Sequence, residues 1–260
     1  MKSRLLKLKS GARIQVVEAG KGKDLLFLHG AGGHLPNDPL IAALAGKYRV
    51  LAPLLPGYGE SSGEDELRDM LDVTLHTLDV LEALKLRKPV VVGHSMGGMI
   101  AAEMAAIAHT EIEKLCLLAP AGLWLDEHPI VDIFAKLPYE LPALLFHDAE
   151  AGRKLMTAGG GNMDDPEFLK QFLVTNARRL GMAGKLLFPI PDRGLSQRLR
   201  RITARTLIVW GREDALIPPL YGGAFKKAIS KARLVRIAKA GHAVGQEKPE
   251  AVLKAIRDFF

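Results

Sequence analysis

The sequence predicts an α/β fold in which a mostly parallel central sheet is covered by helices on both faces, with a helical segment inserted. Short, continuous apolar runs such as DLLFLHG, PVVVGHS and KLCLLAP alternate with stretches of helical periodicity. Such runs are typical of strands buried on both faces, and their alternation with helices is typical of a parallel sheet. At 260 residues the chain can bury a substantial core in one large α/β domain.

The first half of the chain supplies most of the predicted sheet. RLLKLK and RIQVVEA predict two strands joined by a hairpin-like turn at residues 10–12. After DLLFLHG, PLIAALAG predicts a helix ending at Gly46, and YRVLAPLLP predicts another buried strand. Leucines spaced three and four apart within residues 64–86 predict one apolar helix face. They are Leu67, Leu71, Leu75, Leu78, Leu81 and Leu84. PVVVGHS, MGGMIAAEMAAIAH and KLCLLAPAG then predict a strand, a helix of small residues and a strand.

The pattern changes over residues 122–201, where prolines are frequent and no core strand is predicted. IVDIFAKL and PEFLKQFLVTNARRL have helical character, and Asp165 with Pro166 at the first helical position opens the second. Strand and helix alternate again through ARTLIVWG, residues 220–229, ARLVRIA and PEAVLKAIRDFF. We therefore predict a core of residues 1–121 and 202–260, with residues 122–201 inserted as a helical cap.

Composition argues against several classes of protein. The net charge is +7, but the basic residues are scattered and accompany no nucleic-acid-binding motif, so no nucleic-acid partner is expected. No apolar run reaches the roughly 18 residues of a membrane span, and the first residues lack the apolar core of a signal peptide. We expect a cytoplasmic protein without stable membrane insertion. The single cysteine, Cys116, excludes an internal disulfide and a cysteine-rich metal site. The sequence leaves the oligomeric state open.

A candidate nucleophile lies in the G-x-S-x-G pattern of residues 93–97, where Ser95 follows an apolar strand and precedes a helix. A sharp strand-to-helix turn exposes a serine hydroxyl beside the free N–H groups of the helix N-terminus. A second match, around Ser61, lies among turn residues and is interpreted as a loop. The N–H of Met96, directly after the nucleophile, is expected to be one donor of an oxyanion hole.

A serine nucleophile needs a base within hydrogen-bond reach and a third group that orients the base. Of the eight histidines, His242 is the one that follows the late strand ARLVRIA in a turn. The acid is expected after the strand ARTLIVWG, where Glu213 and Asp214 are adjacent. Spacing alone does not separate these two carboxylates.

Five motifs in order resemble an α/β-hydrolase with an inserted cap: HGAGG at 29–33, PGYGES at 56–61, GHSMGG at 93–98, GREDALIP at 211–218 and GH at 241–242. The resemblance covers nearly the whole chain. It implies that Asp214 is the acid and that the N–H of Ala31 is the second oxyanion donor. Relatives that open epoxides or displace halide carry aspartate at the nucleophile position, so Ser95 argues against both reactions.

The expected activity is hydrolysis of a small-molecule carboxylic ester of small to medium acyl size through an acyl-enzyme on Ser95, without a metal or another cofactor. The alternatives are hydrolysis of a carbon–carbon bond in ring-fission products and ligand binding with little turnover. Against the first alternative, the chain has His94 before the serine, where those relatives commonly have Asn. Six residues of the cap are candidates for the acyl pocket: Phe134, Leu137, Tyr139, Phe146, Phe168 and Phe172.

Overall fold

A computed structural model describes residues 1–157, 160 and 164–260. Its single sheet contains eight strands, and most of them lie where apolar runs predict strands. The strands are β1 (Lys2–Lys7), β2 (Arg13–Ala19), β3 (Lys23–Leu28), β4 (Tyr48–Pro53), β5 (Val90–His94), β6 (Lys114–Leu118), β7 (Arg205–Gly211) and β8 (Ala232–Ile237).

Helices connect these strands and cover both faces of the sheet. Those between strands of the core are α1 (Pro39–Ala45), α2 (Met70–Ala83) and α3 (Met96–Ile107). Between β6 and β7 lie α4 (Leu141–Leu145), α5 (Ala149–Thr157), α6 (Pro166–Leu187) and α7 (Leu195–Arg198). The last helices are α8 (Tyr221–Ala228), α9 (Val244–Glu247) and α10 (Pro249–Phe259). Single 3-10 turns occur at Glu64–Glu66, Ile133–Ala135 and Leu199–Arg201.

The strands lie in the order β1-β2-β4-β3-β5-β6-β7-β8. The β1–β2 and β2–β4 pairs are antiparallel, and the remaining pairs are parallel. This arrangement confirms the predicted α/β fold with a mostly parallel sheet. The carboxyl ends of β3, β5, β7 and β8 meet along one edge, which is where ligands bind in open α/β sheets.

Two apolar layers sandwich the sheet. One layer joins the sheet to α2, α3 and parts of the β6–β7 segment, and the other joins it to α1 and α10. Helix α3 is buried along nearly its whole length, which its many glycines and alanines permit because they allow close approach to the strands. Cys116 lies in β6 with no exposed surface, and burial raises the pKa of its thiol.

The apolar face predicted for residues 64–86 is wrong for part of its length. Helix α2 begins at Met70, where the Asp69 carboxylate caps the N–H groups of Leu71 and Asp72. Leu71 and Leu75 are 53% and 47% exposed. The buried face instead carries Met70, Val73, Thr74, His76, Thr77, Val80 and Leu81. Helix α2 thus has two candidate rows for burial: one with Leu71 and Leu75, and one with Thr74 and Thr77. Packing against α3 buries the second row.

Among the described residues of the β6–β7 segment there is no strand, and its helices differ in length from those predicted. Residues 130–137 form a single 3-10 turn at Ile133–Ala135 rather than a helix. Helix α6 begins at Pro166 as predicted, and the Asp165 side chain accepts a hydrogen bond from the N–H of Glu167. None of the helices in the described ranges is long and apolar enough to cross a bilayer.

Candidate active site

Ser95 lies in a sharp turn between β5 and α3. Its backbone has φ 54° and ψ −118°, a conformation that non-glycine residues rarely adopt and that costs about 1–3 kcal/mol. Hydrogen bonds on both sides hold this turn: the Ser95 N–H donates to the Leu118 carbonyl at 2.9 Å, and the Ser95 carbonyl accepts from Ala121 at 3.0 Å. Two residues on, a side chain at Gly97 would overlap the Leu28 and His29 carbonyl oxygens. The glycine therefore lets α3 begin directly against the end of β3.

The structure brings Ser95, His242 and Asp214 together from three distant parts of the chain. His242 Nε2 lies 2.9 Å from Ser95 Oγ, and His242 Nδ1 lies 2.9 Å from Asp214 Oδ2. All three residues are buried, with 7%, 1% and 6% exposed surface respectively. In this geometry the carboxylate accepts a hydrogen bond from Nδ1–H, which leaves the unprotonated Nε2 facing the Ser95 hydroxyl.

Asp214 and Glu213, which spacing does not separate, bind different partners. The second carboxylate oxygen of Asp214 accepts hydrogen bonds from the N–H groups of Leu216 and Ile217 at 3.0 and 2.9 Å. Trp210 Nε1 also donates to Asp214 Oδ2 at 2.9 Å. These bonds fix the carboxylate in the orientation that faces the imidazole. Glu213 is exposed, and its carboxylate accepts the backbone N–H of Ala240 at 3.1 Å.

The two predicted oxyanion donors are backbone N–H groups of segments that lie beside Ser95. Met96 is the first residue of α3, so its N–H has no carbonyl one turn earlier to bind. Ala31 follows β3, and its carbonyl accepts a hydrogen bond from the Tyr58 hydroxyl at 3.0 Å. Both residues thus lie where parallel strands end at the sheet edge that holds Ser95.

His29 holds the peptide that carries the Ala31 N–H. Its Nε2 accepts the N–H of Leu55 at 3.0 Å, so Nδ1 carries the proton and donates to the Gly30 carbonyl at 2.7 Å. This carbonyl and the Ala31 N–H belong to one peptide, so His29 orients the candidate donor. Burial lowers the pKa of His29 to about 3, and the ring is neutral near pH 7. Sequence reasoning missed this role, for which the histidine at the start of HGAGG was the available signal.

His94 holds a second part of the site. Its Nε2 lies 3.0 Å from the backbone carbonyl of His242 and donates to it, because a carbonyl oxygen only accepts. Loss of hydration, reinforced by the neighbouring His242 ring, lowers the pKa of His94 to about 4. The residue before Ser95 therefore supports the candidate base His242 through its backbone, a role that sequence reasoning missed.

The six residues predicted to line an acyl pocket lie in different environments. Leu137 and Tyr139 are 53% and 76% exposed, so most of each side chain faces solvent. Phe146 is 6% exposed and packs against Gly152 of α5. Phe134 is half-buried and contacts Phe188 edge-to-face, with ring centroids 6.2 Å apart.

Phe168 and Phe172 are half-buried and stack on each other along α6, with ring centroids 6.4 Å apart. A role in substrate binding for any of the six stays a prediction.

Arg179, on α6, brings a positive charge to the loop after β3. Its Nη1 donates to the Gly32 carbonyl at 3.1 Å, and its Nε is buried without a hydrogen-bond partner. Burial lowers the pKa of this guanidinium. Within the described ranges, no aspartate or glutamate forms an ion pair with it. Sequence reasoning also missed this cation, which lies beside the loop that carries the candidate donor Ala31.

The chain is similar to known proteins by family model, by sequence and by structure. A model of the alpha/beta hydrolase family matches residues 25–255. The chain is 27% identical to a 2-hydroxy-6-oxo-6-phenylhexa-2,4-dienoate hydrolase of Comamonas testosteroni, covering 93% of this chain and 89% of that protein. It is 30% identical to Lipase 1 of Psychrobacter immobilis, covering 91% of this chain and 77% of the lipase. A meta-cleavage product hydrolase from Pseudomonas fluorescens IP01 has a similar structure, with a TM-score of 0.77, 21% identity and coverage of 99% and 97%.

Proposed function

The chain belongs to the alpha/beta hydrolase family, and on that basis we propose that it is a serine hydrolase that cleaves carboxylic esters through an acyl-enzyme on Ser95. The observation that carries this proposal is the continuous hydrogen-bonded series from Ser95 Oγ through His242 to Asp214, with both links at 2.9 Å. A serine hydroxyl is a weak nucleophile near pH 7 unless a base removes its proton as it attacks. The neighbouring imidazole meets that requirement.

The proposed reaction has two halves. His242 takes the Ser95 proton as the hydroxyl oxygen attacks the ester carbonyl, and the N–H groups of Ala31 and Met96 bind the oxyanion. The imidazolium then protonates the departing alcohol, which leaves the acyl group on Ser95. In the second half a water molecule attacks the acyl carbonyl and gives its proton to His242, and the acid leaves as Ser95 regains its proton.

The β6–β7 segment is proposed to act as a cap, with residues 122–201 inserted between the two parts of the core. Helix α6 supports this proposal because it contacts loops on the site side of the sheet. Arg179 reaches the Gly32 carbonyl, Arg178 pairs with Glu64, and the Met182 side chain packs against Gly57. A cap in this position would limit the acyl chain, which favours esters of small to medium size.

The test compares the two serines that match G-x-S-x-G. Ser95→Ala is expected to lower kcat for nitrophenyl acetate, butyrate and octanoate by at least about 10³-fold and to abolish labelling by a fluorophosphonate. Ser61→Ala is the matched control, because the buried Ser61 hydroxyl donates to the Leu54 carbonyl and accepts the Gln15 N–H, whereas the candidate base binds Ser95. It is expected to keep both activities. Ester turnover that survives in Ser95→Ala would refute the proposal.

A second candidate is hydrolysis of a carbon–carbon bond in an anionic ring-fission product. The relative from Comamonas testosteroni is named for a dienoate, which carries a carboxylate. Arg179 supports this candidate, because a half-buried guanidinium that has no acidic partner among the described residues attracts a substrate carboxylate.

Two variants separate this candidate from the ester proposal. For the C–C reaction, Arg179→Met is expected to lower kcat/KM for the dienoate at least about 10-fold while leaving that for a neutral nitrophenyl ester within about 3-fold. Arg178→Met is the control, since Glu64 already neutralises that guanidinium. No turnover of the dienoate by the wild type would exclude the C–C candidate. Fewer than one turnover per site on both substrates would favour ligand binding instead.

A further inference from the structure

The short loop that carries His242 is held by hydrogen bonds on both sides of the histidine. The peptide between Ala240 and Gly241 is bound at each end: its carbonyl accepts the Glu213 N–H at 3.1 Å, and its N–H donates to Glu247 Oε2 at 2.6 Å. The peptide after His242 is bound in the same way. Its carbonyl accepts from His94 Nε2 at 3.0 Å, and the Ala243 N–H donates to the Leu145 carbonyl at 2.7 Å.

These four contacts divide into two kinds. Glu213 and His94 follow or end strands of the sheet, so they fix the loop relative to the core. Leu145 is the last residue of α4, so its carbonyl fixes the loop relative to the β6–β7 segment. Glu247 belongs to α9, only six residues from Gly241. The contacts of its other carboxylate oxygen decide whether it links the loop to the core or to the β6–β7 segment.

The second oxygen of Glu247 reaches the β6–β7 segment. Glu247 Oε1 accepts the N–H of His147 at 2.9 Å and that of Asp148 at 3.4 Å, 100 and 99 residues away in the chain. One carboxylate thus joins the peptide before His242 to the connection between α4 and α5. Carboxylate hydrogen bonds to backbone N–H groups are among the stronger ones, because the acceptor is charged.

The packing around Gly241 shows how closely these segments approach. A side-chain carbon at this position would lie 2.9 Å from the His147 nitrogen and 2.9 Å from the Leu145 oxygen. Only glycine leaves room for the α4–α5 connection to reach the Glu247 carboxylate. The loop, the carboxylate and the β6–β7 segment therefore form one packed unit.

From this arrangement we propose that Glu247 is a positioning residue for the reaction: its carboxylate fixes the loop of His242 against the β6–β7 segment and so holds the imidazole at Ser95. The inference rests on the proposed function of Ser95 and His242. A displacement of about 1 Å in a catalytic group costs on the order of 10²-fold in rate, so a residue that never touches substrate can control kcat through such contacts.

The experiment replaces Glu247 in two steps. Glu247→Gln retains one acceptor oxygen in place of two, and Glu247→Ala removes both. With nitrophenyl butyrate, kcat is expected to fall about 3- to 10-fold in the first variant and about 10- to 100-fold in the second, with KM within about 3-fold. Hydrogen exchange in residues 240–243 and 145–148 is expected to accelerate in both. Glu250→Gln, an exposed carboxylate in the first turn of α10, is the control and is expected to match the wild type.

A double-mutant comparison separates positioning from general loosening. In a His242→Ala background, Glu247→Ala is expected to cause no further fall in the residual rate, because the group that it positions is gone. An equal fall in that background would overturn the proposal, as would an unchanged kcat in a folded Glu247→Ala protein. If Ser95→Ala keeps full ester activity, the proposed function itself fails; if only the Glu247 variants behave like the wild type, this inference alone fails.

Discussion

Glu213 and Asp214 are neighbours in the chain, yet they bind different parts of the loop that carries His242. Asp214 reaches the imidazole at Nδ1, whereas Glu213 accepts the backbone N–H of Ala240. One residue orients the proposed base directly, and the other supports the backbone before it.

The first prediction follows from this division. Asp214→Asn is expected to lower kcat about 10³- to 10⁴-fold, because an amide in place of the carboxylate no longer fixes the Nδ1–H form of the imidazole or stabilises its charged state. Glu213→Gln retains an acceptor for the Ala240 N–H, so kcat is expected to stay within about 3-fold. Steady-state kinetics on one nitrophenyl ester measures both. Equal losses in the two variants would contradict the assignment.

The second prediction concerns pH and His29. Its pKa is lowered to about 3 in the folded protein from 6.5, so between these values the unfolded chain binds a proton that the folded chain does not. The contribution of His29 to the free energy of unfolding is therefore fully present above about pH 6.5. It decreases as the pH falls, by up to about 1.4 kcal/mol per pH unit for one histidine.

Urea unfolding of the wild type and of His29→Asn at pH 7, 6 and 5 measures this effect. The variant is expected to show a shallower dependence of the unfolding free energy on pH, whatever its absolute stability. Parallel curves for the two proteins would show that His29 is protonated in both states or in neither.

The third prediction concerns the ion pair that joins α3 to α7. Glu103 is 1% exposed, and the Arg198 guanidinium binds both oxygens of its carboxylate. Removing only the arginine leaves a buried charge without its partner, so Arg198→Met is expected to destabilise the protein by about 2–4 kcal/mol. The double variant Glu103→Leu with Arg198→Met is expected to recover most of that loss. Thermal unfolding of the three proteins measures these differences in stability. A double variant less stable than Arg198→Met would contradict the prediction.

The fourth prediction compares two glycines in helices. A methyl group at Gly97 would overlap the Leu28 and His29 carbonyl oxygens, so Gly97→Ala is expected to displace the start of α3 and to reduce fluorophosphonate labelling of Ser95 at least about 10-fold. Gly223, in α8, has no atom within 4 Å of that position. Gly223→Ala is expected to retain labelling and to gain up to about 1 kcal/mol in stability. Normal labelling of a folded Gly97→Ala protein would refute the argument.

Much of the fold is predictable from sequence because buried parallel strands are short apolar runs that differ clearly from amphipathic helices. The order of Ser95, Asp214 and His242 follows from the motifs, but the choice of Asp214 over Glu213 needed the resemblance to a family. The face of α2 was less predictable, since Leu71 and Leu75 compete with a row of smaller and more polar residues. The packing against α3 selects between the two rows, and periodicity does not contain that information.

The supporting groups of the site were beyond sequence reasoning for a different reason. His29, His94 and Glu247 each bind backbone atoms of a segment that is distant in the chain: Leu55, His242 and His147 respectively. A backbone N–H or carbonyl is present at almost every residue, so no pattern of side chains marks where such contacts form. Only the tertiary structure shows which peptide each side chain holds.

Ser95 and His242 lie 147 positions apart in the chain, and this distance affects when reactivity can arise during synthesis. A nascent chain that has left the ribosome only as far as α3 contains Ser95 but neither His242, the proposed proton acceptor, nor Asp214. On the proposed mechanism, the Ser95 hydroxyl stays unreactive until translation has passed β8 and the loop of His242 has docked. An incomplete chain would then leave esters intact.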